Sequence, residues 1–270
     1  MKRPSLQSIL QVDDSYHSKF QYIHSLYDTK YSKTTVCKNR ITGEIIVLKE
    51  NTDMTYFYQL RREIMIIRQL NHDGIISIKD SHINEDLNKC YIVLPYFKNG
   101  DLFDFYQKNP SLFTIGKILE IIRKLIEIVK YCHEKGICHR DIKAENILLN
   151  NDFNTYTSIT LIDFGLSIQK KGDIFSIRGE CGSPNYMAPE INSKNIYNES
   201  CDVWSIGILF YFLMYGDYPD VKQSSDFQYP ISQKVTEEIK DLLQKLLDKN
   251  PTTRISLHDA LCHKCFVYAA

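Results

Sequence analysis

The spacing of hydrophobic and polar positions along this chain changes near residue 100. Before it the texture is strand-like. F-Q-Y-I-H-S-L-Y at 20–27 alternates, T-T-V-C-K-N at 34–39 runs towards Thr42-Gly43, and E-I-I-V-L-K at 44–49 leaves it, which together predict a hairpin. Residues 57–70 then place Leu60, Ile64, Ile67 and Leu70 three and four apart, the period of an amphipathic helix. Two further strands are predicted over I-I-S-I-K-D at 75–80 and C-Y-I-V-L-P-Y at 90–96.

Beyond Asn99-Gly100 the pattern is mainly helical. Residues 117–134 put Ile118, Ile121, Ile122, Leu125, Ile128, Val129 and Cys132 on one face, with a stop at Gly136. Residues 202–215 are apolar nearly all round, which predicts a buried helix. A third helix is expected over 236–248, with Ile239, Leu242, Leu243, Leu246 and Leu247 inward. There are no internal repeats or low-complexity linkers. The expected class is α+β and bilobal. A small antiparallel β lobe with one key helix spans about 20–95, a hinge 95–101, and a larger, mainly helical lobe about 102–268, after an N-terminal extension at 1–19. Clefts between such lobes commonly hold ligands.

Composition narrows the function classes. The chain has 270 residues, 43% of them hydrophobic, which is ample for a packed core. With 33 basic and 33 acidic residues the formal charge is zero, so no basic field points to a nucleic-acid partner. No apolar run is long enough to span a bilayer, the N-terminus lacks a signal-peptide core, and Lys2 stands where myristoylation needs glycine. A cytoplasmic or nuclear monomer with no membrane partner is expected. The eight cysteines read as reduced thiols; Cys262 and Cys265 form a C-x-x-C with no second pair to complete a zinc site.

The candidate chemistry sits in three motifs: H-R-D-I-K-A-E-N at 139–146, D-F-G at 163–165 and A-P-E at 188–190. Lys49 in I-V-L-K, Glu63 in R-R-E-I and D-V-W-S-I-G from 202 follow the same order. Together these six elements resemble the eukaryotic protein-kinase signature over about residues 20–268. Ala144 departs from the proline often found there. The residue types suit phosphoryl transfer, which needs positioning and charge neutralisation more than covalent help. Asp163 and Asn146 offer the hard oxygens that Mg2+ prefers. Asp141 can accept a hydrogen bond from a hydroxyl nucleophile. Lys143 can set an ammonium near the transferred group, Lys49 can grip the ATP phosphates, and Glu63 can hold Lys49.

The resemblance implies more. Lys143 and the Ser183 position mark serine/threonine kinases, so the expected partners are protein substrates with Ser/Thr. The tracts C-G-S-P-N-Y-M-A-P-E, C-D-V-W-S-I-G-I-L and N-P-T-T-R-I-S look like the calcium/calmodulin-dependent kinase group and its energy-sensing relatives. No D-x-[DN]-x-[DN]-G loop follows, so direct calcium control is lost or the chain is a fragment. The adenine pocket falls on Leu94 as gatekeeper, Pro95 and Phe97 in the hinge, Asp101 at the ribose, with Leu148, Val47 and Thr34 lining it. Pro95 lacks an N–H but keeps the carbonyl that the hinge uses. Val47 and Thr34 add bulk and a hydroxyl beside the adenine. Glu190 and Arg254 are expected as a buried ion pair, Asp202 as holder of the catalytic-loop backbone, His139 with Phe164 in an apolar stack, and Trp204 in the core.

Tyr27, Thr29 and Ser32 stand where the family carries the glycines of its phosphate-covering loop. Glycine there gives backbone freedom and close approach to phosphate. Two readings follow: an active kinase with weakened ATP affinity, in which Thr29, Ser32, Lys30 or Lys33 supply side-chain donors, or a pseudokinase that uses the fold as a binding module. Retention of Lys49, Asp141 and Asp163 favours the enzyme. Arg140 typically meets a phosphorylated residue at the position of Gly179, which has no hydroxyl. Switching there is expected to be absent, with Glu180 either a partial substitute at −1 against about −2 for phosphate or merely exposed, and Ser176 as an alternative switch. Asp101 and Glu145 stand at positions that contact arginine in basophilic relatives, so the resemblance implies basic residues two or three places before the target. Ser5, in K-R-P-S, fits that preference.

Overall fold

The structure is a computed structural model that describes residues 18–150, 158–170, 172, 175–192, 196–220 and 235–266; Ser5 and most of the expected N-terminal extension lie outside them. The chain forms two compact units. One takes the chain up to Arg68 with Ser77–Tyr96; the other takes Gln69–Ile76 and the chain from Phe97 onward.

The first unit is a five-stranded antiparallel sheet in the order β1-β2-β3-β5-β4, built from β1 (Phe20–Asp28), β2 (Ser32–Asn39), β3 (Ile45–Asn51), β4 (Asp80–Asn84) and β5 (Lys89–Pro95). The Asn39 Oδ1 accepts from the Ile41 and Thr42 N–H groups at 2.9 and 3.1 Å, and Gly43 at φ 74° completes the predicted turn. Phe20, Cys37, Ile46, Leu48 and Val93 form a small core. Register sets Thr34 opposite Lys49, Val47 opposite Leu94 and Lys49 opposite Ile92. Alternation therefore puts Thr34, Val47, Lys49 and Leu94 on one face of the sheet.

Helix α1 (Met54–Ile67) joins β3 to β4. It starts three residues before the apolar pattern does, because Asp53 caps it by accepting from the Tyr56 N–H at 2.8 Å. Phe57, Leu60 and Ile64 are fully buried, as the period requires, but the helix stops at Ile67 and leaves Leu70 outside. The strand expected at 75–80 does not form. Ile75 and Ile76 belong to the second unit, where Ile75 makes an isolated bridge to Leu161 and the Ile76 N–H donates to the Leu161 carbonyl at 3.1 Å. The strand in its place is the polar edge β4, which its backbone pairing with β5 defines.

The second unit is mainly helical: α2 (Leu102–Lys108), α3 (Ile115–Glu134), α4 (Ser200–Tyr215), α5 (Glu237–Leu246) and α6 (Leu257–Leu261). Two short ladders pair β6 (Ile137–Cys138) with β9 (Ile168–Gln169) and β7 (Ile147–Leu149) with β8 (Ile159–Leu161). The α3 face predicted from sequence is buried throughout, and Gly136 ends the helix at φ 73°. Helix α4 is buried from Cys201 to Leu213, with Trp204 fully enclosed. A Cβ at Gly207 would lie 2.8 Å from Leu247 Cδ2, so this glycine sets how closely α4 approaches the end of α5. Arg254 meets Glu190 through both nitrogens, at 2.6 and 2.9 Å. Among the described residues no helix is long and apolar enough to cross a membrane.

Candidate active site

In the first unit the site is a buried ion pair on a sheet face. β3 presents Lys49, α1 presents Glu63, and Nζ lies 2.8 Å from Oε2 with side-chain exposures of 12% and 2%. The Tyr56 ring sits 5.8 Å from the same ammonium. Thr34, Val47 and Leu94 are half-buried on that face, and Pro95 ends β5.

In the second unit the stretch between β6 and β7 carries most of the remaining candidate residues. Asp141 is 8% exposed. Its Oδ1 accepts from the Ser183 N–H at 3.1 Å and the Ser183 hydroxyl at 2.8 Å. Its Oδ2 lies 3.1 Å from Lys143 Nζ, which also donates to the Ser183 oxygen at 2.8 Å. Asn146 Nδ2 donates to the Asp141 carbonyl at 2.8 Å and to Oδ2 at 3.0 Å. The Asn146 amide nitrogen is thereby committed, and its amide oxygen remains as a donor atom for a metal. Asp163 is held at φ 61° with its side chain accepting from the Gly165 N–H at 3.4 Å. Phe164 beside it packs edge-on against His139 at 4.8 Å. A carboxylate and an amide oxygen make the hard donor set that suits Mg2+.

Below this stretch, Asp202 in the first turn of α4 accepts from the N–H groups of His139 and Arg140, each at 2.8 Å, and lies 2.8 Å from His133 Nε2. Full burial pushes its carboxyl up, but His133 and these N–H groups outweigh that and hold it below the usual carboxylate value. Arg140 is thereby kept at φ 68°, where a side chain is strained. Among the described residues, His133, Cys138 and Asp202 are the one cluster with metal-ligating atoms close together. The Asp202 oxygens are already spent on the loop, and burial keeps Cys138 protonated. The role of Asp202 was expected by resemblance. That of His133 was not, since a single polar residue at the end of an apolar helix face carries no signal.

Phe97 opens the second unit half-buried. Asp101 caps α2 by accepting from the Asp104 N–H at 2.8 Å and bridges Leu148 through its backbone. Burial raises its carboxyl despite that cap. Leu148 is half-buried and Glu145 exposed.

The model of the protein kinase domain family matches residues 20–266. The chain belongs to the protein kinase family. It is 31% identical over 253 residues to "CBL-interacting serine/threonine-protein kinase 8" of Arabidopsis thaliana, covering 88% of this chain and 55% of that protein. Over 219 residues it is 33% identical to "Calcium/calmodulin-dependent protein kinase type II alpha chain" of Drosophila melanogaster, covering 77% and 41%. Over 245 residues it is 32% identical to "Serine/threonine-protein kinase cds1" of Schizosaccharomyces pombe, covering 84% and 52%. The chain spans about half the length of the curated relatives it matches.

Two features of this chain bear on the expectations. The first is the hairpin tip between β1 and β2. The Thr29 N–H donates to the Ser32 carbonyl at 2.9 Å, and the Thr29 Oγ1 accepts from the Tyr31 and Ser32 N–H groups at 3.2 and 3.0 Å. Thr52 holds the tip from below, through its hydroxyl to the Lys30 carbonyl at 2.8 Å and its N–H to the Tyr31 carbonyl at 2.9 Å. The Thr29 hydroxyl, expected as a donor to phosphate, is turned into the loop's own backbone. The Lys30 ammonium lies over the Tyr31 ring at 4.6 Å, and Tyr27 is 64% exposed. The second is Glu180. It is exposed, which is the other of the two readings of this residue. The Arg140 Nε donates to the Leu166 carbonyl at 2.7 Å.

Proposed function

We propose that this chain transfers the γ-phosphoryl group of ATP to serine and threonine hydroxyls of protein substrates, with Mg2+ as cofactor. The observation that carries the reading is the closed set around Asp141, whose carboxylate meets Lys143, Ser183 and Asn146. Asp141 orients the attacking hydroxyl and takes its proton. Lys143 places positive charge beside the same carboxylate. Asn146 and Asp163 would hold the metal, which when bound neutralises phosphate charge. Lys49, fixed by Glu63, binds the α and β phosphates. Thr34, Val47, Leu94, Pro95, Phe97, Asp101 and Leu148 are assigned to the nucleoside on the strength of the family pattern.

Asp101 and Glu145 support a preference for arginine or lysine upstream of the target hydroxyl. A serine-peptide array incubated with the chain and magnesium-ATP is expected to label basic sequences, and Asp141→Asn to abolish the signal by about a hundredfold or more. Labelling without regard to upstream charge refutes the preference alone. A second reading, a nucleotide-binding module without transfer, is favoured by the self-satisfied hairpin tip. ATP binding by the wild-type chain with no labelled peptide would establish it.

A further inference from the structure

The segment leading into Ser183 is held by a residue that nothing in the motifs marks. Ile177 and Tyr197 form an antiparallel bridge with reciprocal N–H to carbonyl bonds of 2.9 and 3.1 Å. The Tyr197 hydroxyl donates to the Gly179 carbonyl at 2.9 Å and lies 3.9 Å from the Cys181 sulfur. The side chain is 5% exposed, and the positive charge of Arg140 acts on its phenol. Burial, ahead of the opposing Arg140 charge, raises the phenol well above its ordinary value, so it keeps the proton that it gives to Gly179.

Gly179 sits at φ 91°, a conformation that a residue with a Cβ resists. Its carbonyl can turn to Tyr197 because the backbone there is free to do so. Gly182 follows at φ 110°, where a Cβ would lie 2.8 Å from the Arg140 carbonyl. The next residue is Ser183, whose N–H and hydroxyl both bind Asp141 Oδ1. A short run of chain thus links the Tyr197 clasp to the catalytic carboxylate.

We propose that Tyr197 is a positioning residue for phosphotransfer: its hydroxyl, clasping the Gly179 carbonyl beside Arg140, sets Ser183 against Asp141 in a chain that carries no phosphate. The proposal rests on the phosphotransferase reading above and adds how that site is kept in order. Gly179 occupies the place where relatives of this pattern carry a phosphorylatable residue. Here a neutral tyrosine hydroxyl and a glycine backbone replace that charge.

The test uses the full chain stripped by a broad-specificity phosphatase, with intact mass confirming that no phosphate remains. Transfer to a serine peptide and amide exchange across 177–183 are measured together. Stripped wild type is expected to keep its kcat within about twofold of untreated protein, and Tyr197→Phe to lower kcat about fivefold to tenfold, the size of one lost hydrogen bond. The KM for ATP and the melting temperature should stay close to wild type, while exchange across 177–181 quickens. Gly179→Thr should behave like Tyr197→Phe. A purely structural tyrosine would lower the melting temperature without this kcat-specific loss, which overturns the proposal. Loss of activity with the phosphate overturns it as well, as does Tyr197→Phe with unchanged kcat and exchange. A chain that transfers nothing in any form refutes the phosphotransferase reading too, whereas full transfer by Tyr197→Phe refutes this proposal alone.

Discussion

The Thr29 hydroxyl accepts from two backbone N–H groups of a loop whose counterpart in the family faces phosphate. A phosphate oxygen is ionised and is the stronger acceptor, but it must first displace this internal partner. Thr29→Gly removes the competitor and restores backbone freedom. It is expected to tighten magnesium-ATP binding by about threefold to tenfold, the net worth of one hydrogen bond, as read by titration calorimetry. Thr29→Ser keeps the hydroxyl and should match wild type; weaker binding by Thr29→Gly would show that the closed tip assists the nucleotide. Lys49 and Glu63 give the opposite expectation. Each is nearly buried and each is the other's partner at 2.8 Å. Glu63→Gln leaves the shape and removes the charge, so the KM for ATP should rise by about tenfold or more while the chain stays folded. The missing glycines at 27, 29 and 32 were legible in the sequence. The internal cap that replaces them was not, because a threonine in a loop has several hydrogen-bonding choices and only the folded turn selects one.

At the scale of elements, α4 anchors the catalytic stretch through one side chain. Asp202 joins the first turn of a buried helix to two backbone N–H groups and to His133 on α3. Its folded carboxyl titrates below the ordinary value. The stabilisation is therefore present above the unfolded carboxylate pKa of about 4 and is lost as pH falls through the lower folded value. Asp202→Asn should destabilise the protein by about 3 kcal/mol or more at neutral pH, because the loop donors lose their charged acceptor. The gap to wild type in chemical denaturation should hold down to about pH 4 and shrink below it. A gap that grows in acid would contradict this sign. The buried α3 and α4 were readable because an apolar face or an all-apolar run allows few alternatives. The start of α1 was misread because a polar cap, Asp53, set it rather than the first apolar residue. The strand at 75–80 failed for another reason: Ile75 and Ile76 are apolar because they pack in the second unit, while the real edge strand is polar and carries no period.

Across the whole molecule, the residues proposed to bear chemistry were singled out by type and order, whereas the contacts that hold them in place join segments far apart in sequence. Tyr197 to Gly179 and His133 to Asp202 have no local pattern, so only the fold reveals them. The cysteines make the same point in a testable way. All eight were expected as reduced thiols, but the sequence does not say which are reactive. Burial pushes Cys90 in the first unit and Cys132 and Cys265 in the second up to about 12, while Cys262 is exposed. For a thiol raised from 9.0 to about 12, the thiolate fraction near neutral pH falls by about a thousandfold. Native protein treated with iodoacetamide at about pH 8, near the free thiol pKa, should therefore be modified at Cys262 well before Cys90, Cys132 or Cys265, as followed by peptide mass spectrometry. Adding denaturant should expose the protected thiols, and the denaturant dependence of Cys90 against Cys132 reports the two units separately. Coincident curves would mean that sheet and helical units unfold as one cooperative body, and labelling of Cys132 as fast as Cys262 in native buffer would mean that the helical unit does not enclose α3 as the structure has it.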